Sequence, residues 1–363
     1  MKPNKYLDFL LNPFESTQSR KVLNVNPTTT PNRVEAEVLN IQIQDFNVDK
    51  VEKITTQKIE DCFSFPKPER KCWINIDGIN KVELEKCVQP LGIHPLILED
   101  ILNEGQRPKT EEIEGLICSV MNMLYFNEQK GEVETEKICM VLGKRLLVTI
   151  QEENSKDVFQ ATRERLNTNT SRARQYEIDF LLYALMDAIV DHYFVVMNKL
   201  ADKILLLEME VIKDPTKRTL IKINHLRNAI ILIKRSVGPV PELIQGIIKS
   251  ESDLIHERSE KYFRDVYDHA RQANELLENH RDMIVNLHDL YMNNLNVRLN
   301  ESMKIMTIVT CLLAPATVIG GIFGMNLEFG TWIKDRLGFW GVIGLMFLTF
   351  GLMLYYFRKK RWF

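Results

Sequence analysis

Hydrophobic and polar positions along the chain change their period near residue 157. Before it, short stretches alternate or are rich in β-branched residues, a pattern typical of strands: VEAEVLNIQIQDF, CWINIDGI, LICSVMNMLYF, EKICMVL and RLLVTIQ. HPLILEDILN, between them, predicts a short helix. The first 32 residues, with NVNPTTTPN, are polar and rich in turn residues, and we expect them to be loose. Residues 33–151 therefore predict a mixed α and β region.

After residue 157 the pattern is helical. One long pattern covers about 158–212 and a second covers 215–249, with Asp214-Pro215 as the break between them. A third starts near Glu251 and contains no proline until Pro315. The sequence thus predicts an α+β domain, an α/β sandwich with long helices, followed by a long continuous helix.

The third helical pattern carries an apolar line that advances by alternating steps of three and four residues. This heptad seam contains Phe263, Val266, Ala270, Ala273, Leu277, His280, Ile284, Leu287 and Tyr291. Such spacing predicts packing against neighbouring helices. We interpret His280 as a packed member of the seam rather than a metal ligand.

A second line at the same spacing, the polar stripe, has a different composition. Its first half holds only carboxylates and amides: Asp268, Gln272, Glu275, Asn279, Asp282, Asn286, Asp289, Asn293, Asn296 and Asn300. It continues in phase through Met303, Thr307, Thr310, Ala314, Thr317 and Gly321. The absence of Lys and Arg from the first half favours a cation path. The alternative is a solvated face that runs into a small-residue helix contact.

Two runs near the C-terminus contain no charged residue, Ile305–Leu327 and Leu337–Phe357. Each has about the 20 residues that a helix needs to cross a bilayer, so we predict two membrane spans rather than a buried hairpin of a soluble protein. Arg358, Lys359, Lys360 and Arg361 follow the second run. The positive-inside rule then places both termini in the cytoplasm and the protein, as a multi-pass protein, in the cytoplasmic (inner) membrane.

These patterns divide the chain into segments. We predict a flexible N-terminal segment (1–32), a cytosolic α/β domain with long helices (33–250), a long pore helix (251–327) with a first span at about 303–325, a short extracytoplasmic loop (328–336), a second span (337–357) and a basic cytosolic tail (358–363). One pore-facing helix cannot enclose a channel, so a path along the stripe requires a homo-oligomer.

Composition narrows the function classes. The formal net charge of −2 and the lack of a basic domain argue against nucleic-acid binding. Six scattered cysteines without a C-x-x-C pair indicate a reducing compartment. Gly143-Lys144 lacks the earlier glycine of a P-loop, and neither a catalytic triad nor H-E-x-x-H is present. We expect a protein that is not an enzyme, with no organic cofactor.

The end of the first span, GIFGMNLEFG, contains Gly324, Met325 and Asn326. Asn326 could present its carboxamide oxygen to an arriving ion at the outer mouth of a path. Neutral oxygens that hold a hydrated ion suit Mg²⁺, which gives up its waters reluctantly. In the alternative, Gly320 and Gly324 form a helix-packing pair and Asn326 caps the helix. The residues alone leave both interpretations open.

FGMN at this place, a second span and a basic tail resemble the CorA family of magnesium channels. GIHPLILEDILNEGQRPK, DFLLYALMDAIVDHYF, YFRDVYDH and NESMKIMTI are also similar to CorA segments, so the resemblance covers about residues 70–363. It implies a homopentamer in a lipid bilayer that takes up divalent cations. It implies a selectivity motif at Gly324, Met325 and Asn326, and pore-facing positions on the stripe at Asp289, Asn300, Met303, Thr317 and Gly321. Phe323 and Ala314 depart from the usual Tyr and Met of the family.

The resemblance also implies regulatory divalent sites between cytosolic domains, at Glu99, Asp100, Asp187 and Asp265. Mg²⁺ would then be both the transported and the regulatory ion. Without the family, these acids would be interpreted as helix-terminus and surface residues.

Two other functions stay open. CorA-like proteins include zinc transporters, so transport of zinc, cobalt or nickel is the nearest alternative, although the stripe has no cluster of His or Cys. A membrane-anchored helical scaffold is the alternative of a different class.

Overall fold

The structure is a computed structural model that describes residues 36, 38–103, 105–152, 158–168, 171–323, 336–360 and 362, without the side chains of residues 336 and 337. The predicted N-terminal segment, the Gly324-Met325-Asn326 motif and most of the predicted extracytoplasmic loop lie outside these residues. The predicted domain boundaries stay predictions.

A mixed sheet occupies the first part of the described chain. Its strands are β1 (Asn40–Phe46), β2 (Val51–Thr56), β3 (Lys71–Asp77), β4 (Lys109–Ile113), β5 (Leu116–Asn127), β6 (Glu132–Leu142) and β7 (Leu146–Gln151). The order in the sheet is β2-β1-β3-β7-β6-β5-β4, and only the β3–β7 pair among these is parallel. The five strands expected from the sequence are present. The two that the sequence pattern missed, β2 and β4, are the edge strands, which bury no residue and are rich in charge.

One face of the sheet carries rows of aliphatic residues in register. Ile41 pairs with Ile76, which pairs with Ile150 on the next strand. All three are buried in one hydrophobic cluster, which also takes in Ile97 and Ile101. These last two belong to the short helix α2 (Pro95–Leu102), which follows α1 (Lys81–Glu85). The core thereby fixes α2, the helix that carries Glu99 and Asp100.

Seven further helices follow the sheet: α3 (Gln160–Asn167), α4 (Arg172–Gln175), α5 (Ile178–Lys213), α6 (Lys217–Val237), α7 (Val240–Ile248), α8 (Glu257–Phe323) and α9 (Arg336–Lys359). The single helix expected from residue 158 was wrong, because a polar segment separates α3 from α4 and Ser171 caps α4 through Ala173 N. The second long pattern is divided near Gly238-Pro239, since proline cannot continue a helix. The third helix begins at Glu257, after a turn.

The described chain forms two compact units. One contains the residues up to Lys203 together with His225–Asp282, and the other contains Ile204–Asn224 with the residues from Met283 onward. The first holds the sheet. The second holds the end of α5, the start of α6, the later part of α8 and all of α9.

The heptad seam of α8 is confirmed. All nine of its residues are buried, and His280 is 4% exposed. Burial lowers the pKa of His280 below its ordinary value of 6.5, because the charged imidazolium would lose its hydration. His280 is therefore a packed, neutral side chain at neutral pH.

Three described helices are long and apolar enough to cross a membrane, namely α5, α8 and α9. The apolar window of α5 is 56% buried within the chain, whereas those of α8 and α9 are each 6% buried. More than half of the apolar segment of α5 is thus buried inside the protein. The uncovered surfaces of α8 and α9 match the two spans expected from the sequence.

Candidate ion path and metal-binding acids

Every member of the polar stripe on α8 is exposed in the single chain, from Asp268 to Gly321. The stripe and the heptad seam alternate along one continuous helix, so the helical period sends one line inward and the other outward. The 67 residues of α8 would extend about 100 Å at 1.5 Å per residue. A single element thus presents the whole line of polar groups to solvent or to other copies of the chain.

Basic side chains near the stripe are held mainly by acids that do not belong to it. The Arg281 guanidinium lies 2.7 Å from Glu278, and that of Arg298 lies 2.7 Å from Asp214. Two stripe acids have looser neighbours: Arg271 lies 3.7 Å from Glu275, and His288 lies 3.7 Å from Asp289. Exposed pairs at this distance are worth little, so the stripe keeps its negative character.

Three threonines on the membrane part of the stripe share one arrangement. The hydroxyls donate to the backbone carbonyls four residues earlier: Thr307 to Met303 at 2.8 Å, Thr310 to Met306 at 2.9 Å and Thr317 to Leu313 at 3.1 Å. Because the proton of each hydroxyl is engaged, the oxygen is left as an acceptor on the exposed side. Acceptors of this kind suit the water shell of a cation.

Two glycines near the end of α8 have different surroundings. A Cβ atom at Gly320 would come within 3.7 Å of Met346 Cε on α9. A Cβ atom at Gly321, on the stripe, would meet no described atom within 4 Å. Packing of Gly320 against α9 supports a helix contact there. Packing within the described chain does not account for Gly321.

A cluster of possible metal ligands lies where α5 and α8 meet. Ligand atoms of Asp187, Asp191 and His269 all lie within 4.8 Å of one another, and no other such group of three occurs in the described part of the chain. His269 Nδ1 is 3.8 Å from Asp187 Oδ1, and the Tyr183 hydroxyl donates to Asp187 Oδ2 at 3.4 Å. Carboxylate oxygens with one imidazole form a donor set that divalent metals accept.

The pKa of Asp187 is raised from its ordinary value of 3.8 by partial burial and by the charges of Asp191 and Asp265. Burial of Asp187 and repulsion from the neighbouring acids therefore both disfavour its charged form in the metal-free chain. A cation held between the acids would offset the repulsion. Asp187 and Asp191 also line a groove of about 690 Å³, through which a hydrated ion can reach them.

Sequence reasoning included Asp187 and Asp265 but missed Asp191 and His269. The signal was present in DAIVD and DVYDH, which place Asp191 four residues after Asp187 and His269 four residues after Asp265. Residues four apart share a helix face. The meeting of these two faces depends on tertiary packing.

Glu99 and Asp100 lie on α2, and neither belongs to this cluster. Asp100 is bound by Lys109 Nζ at 2.7 Å and by Gln106 Nε2 at 2.9 Å. Lys137 donates to the carbonyls of Asp100, Ile101 and Asn103 at 3.0, 2.7 and 2.7 Å, which fixes the end of the helix. Glu99 is exposed. A metal at Asp100 would have to displace Lys109.

A model of the CorA-like Mg²⁺ transporter protein family matches residues 69–359. The chain belongs to this family. The cobalt/magnesium transport protein CorA of Thermotoga maritima is 34% identical over 327 residues, which cover 90% of this chain and 93% of that protein. The zinc transport protein ZntB of Vibrio parahaemolyticus is 27% identical over 139 residues, 38% of this chain and 44% of that one.

The CorA fold is also found by comparison of structures. The complete structure of the CorA magnesium transporter from Methanocaldococcus jannaschii has a TM-score of 0.77 at 22% identity, and covers 91% of this chain and 100% of that one. The expected fold class and the family resemblance are thus confirmed. As a CorA-family member, the chain is a divalent-cation transporter with transmembrane helices, and the relatives described here are transporters rather than enzymes.

Proposed function

We propose that the chain forms a channel for the uptake of Mg²⁺ across the cytoplasmic membrane, down its electrochemical gradient. The observation that carries the proposal is the exposed polar stripe, which supplies carboxylate, amide and hydroxyl oxygens along one face of α8. The membrane potential is worth about 4.6 kcal/mol for a divalent ion that crosses 100 mV, so no nucleotide is needed. Both termini lie in the cytoplasm in this arrangement.

Five copies of α8 around one axis would convert the stripe into stacked rings. A ring of Asp289 would concentrate cations, and a ring of Asn300 would offer amide oxygens. Met303 would form an apolar constriction, followed by the threonine hydroxyls. The outer Gly324-Met325-Asn326 motif would hold the ion with its waters, as suits Mg²⁺. A homopentamer is the assembly that the family resemblance implies.

Flux into proteoliposomes tests this proposal. With an inside-negative potential, we expect rapid Mg²⁺ uptake, slower Co²⁺ and Ni²⁺ uptake and the least Zn²⁺ uptake, because the stripe presents oxygen ligands and no thiolate or imidazole. Each ion is measured alone with an entrapped indicator, and protein-free vesicles give the leak. Zn²⁺ uptake without Mg²⁺ uptake would establish the zinc alternative. No flux of any ion would favour the membrane-anchored scaffold.

Cytosolic Mg²⁺ closes this channel, in our proposal, through Glu99, Asp100, Asp187 and Asp265 between neighbouring subunits. Support comes from Asp187, whose pKa is raised by partial burial and by repulsion from the charges of Asp191 and Asp265. A bound ion would offset that repulsion and stabilise one arrangement of the cytosolic domains by mass action. Asp191 and His269 join the proposed ligand set because of their distances from Asp187.

Asp265→Asn should shift the Mg²⁺ dependence of protease protection in α8. Loss of one carboxylate should move the half-protecting Mg²⁺ concentration upward by about tenfold or more. The measurement is limited proteolysis of the full-length oligomer across a Mg²⁺ titration. Asp253→Asn, at an exposed acid in the turn before α8, is the matched control and should follow the wild type. An unchanged midpoint in Asp265→Asn would show that this acid is an ordinary surface residue.

A further inference from the structure

The connection between α5 and α6 is tied to α8 shortly before the predicted first span. This hairpin tip comprises residues 212–218, IKDPTKR. Arg298 Nη1 lies 2.7 Å from Asp214 Oδ1, and Asn294 Nδ2 donates to the carbonyl of Val211 at 3.0 Å. All these residues belong to the same compact unit. Val211 meets Asn294 and the later Asp214 meets the later Arg298, so α5 and α8 run in the same direction here and the tip is the end of α5 nearer the predicted span.

The distance of the tip from the predicted span can be compared with the thickness of the lipid headgroup layer. Arg298 precedes Ile305, where the uncharged run begins, by seven residues. At 1.5 Å per residue this is about 10 Å along the helix. The headgroup layer adds about 5–7 Å outside the hydrocarbon core on each side. With α8 inserted, a residue beside Arg298 would lie roughly 3–5 Å outside the headgroup layer, a gap that an extended Lys or Arg side chain can span.

The exposed charges of the tip are mostly positive. Lys213, Lys217 and Arg218 are exposed, and none forms an ion pair with a described residue. The two acids nearest them in sequence are already engaged, Glu210 by Lys222 at 2.6 Å and Asp214 by Arg298. Ile212 beside them is 62% exposed. Three exposed basic residues and an exposed apolar residue within seven positions are a composition complementary to an anionic interface.

We propose that the hairpin tip docks on the anionic phosphate headgroups of the cytoplasmic leaflet. Basic segments next to a membrane span are attracted to such a leaflet, and the attraction falls off within a Debye length. Ile212 can insert among the headgroups while the three basic side chains lie over the phosphates. The docking would tie the end of α5 to the bilayer. The proposal rests on membrane insertion of α8 and α9 and is independent of the ion that the channel carries.

Hydrogen exchange of the full-length protein in nanodiscs tests the docking. Exchange of the amides of the tip is compared in phosphatidylcholine alone and in phosphatidylcholine mixed with phosphatidylglycerol. We expect exchange to slow by about fivefold or more in the anionic bilayer, the effect of one basic group held at the surface. High salt should reverse most of the difference. This comparison needs no mutation, so it does not depend on the folding of a variant.

Charge reversal supplies a second arm. K213E/K217E/R218E should lose the difference between the two bilayers. K50E/K53E/K58E is the matched control, since these three exposed lysines lie on or beside β2 and form no ion pair with a described residue. This control should keep the difference.

Equal exchange of the wild-type tip in both bilayers would overturn the proposal, and slow exchange in both would mean that a neighbouring copy of the chain covers the tip. Retention of the difference in the tip variant would also overturn it. Ion flux is measured separately, so failure of the docking is distinguishable from failure of the proposed transport.

Discussion

Asn326→Ala should reduce Mg²⁺ uptake by about 10- to 100-fold, the effect of removing one polar partner of a charged group. The residue lies at the end of the uncharged run that begins at Ile305. If its carboxamide oxygen holds the waters of an arriving ion, alanine leaves nothing of equivalent polarity at the outer mouth. The measurement is Mg²⁺ flux into proteoliposomes, with the oligomer checked by size-exclusion chromatography.

Asn224→Ala is the matched control, because Asn224 is exposed on α6, outside the polar stripe. It should leave the flux unchanged. Wild-type flux in a correctly assembled Asn326→Ala oligomer would contradict the selectivity assignment. The motif would then serve as a helix contact and a helix cap. The short distance between Gly320 and the Met346 side chain is consistent with such a contact.

The architecture of α8 could be predicted from the sequence because a helix fixes the direction of each side chain. The steps of three and four separated two lines, and the structure buries one while it exposes the other. The inner strands were equally readable, since their sequences alternate or are rich in β-branched residues. The edge strands β2 and β4 escaped notice because their charged residues face water.

The proposed metal-binding acids were only partly predictable. Asp187 and His269 are 82 positions apart in the sequence, and their approach depends on how α5 packs against α8. No local spacing contains that information. The resemblance to the family supplied Asp187 and Asp265, and the structure added the partners of Asp187. The contact between Lys109 and Asp100 could likewise not be predicted from the sequence pattern, because it joins the edge strand β4 to α2.

Asp289→Lys should depress Mg²⁺ conductance by about tenfold or more at low ionic strength, because charge concentrated in a confined path changes local ion concentration by at least that factor. Asp289 lies eleven residues before Asn300, and both are exposed on the same face of α8. The distance along the helix is about 16 Å. In a symmetric pentamer the substitution would replace an acidic ring with a basic one in the cytosolic stretch of the path.

The most direct test of the central claim, that the polar stripe lines the ion path, is the Mg²⁺ conductance of Asp289→Lys beside that of Asp253→Lys. Both substitutions reverse the charge of an exposed acid, but Asp253 lies in the turn before α8 and outside the stripe. We predict a large loss for Asp289→Lys alone, and a smaller loss at high ionic strength because salt screens the ring. Equal conductance of the two variants at low salt would contradict the account and would make the stripe a solvated face.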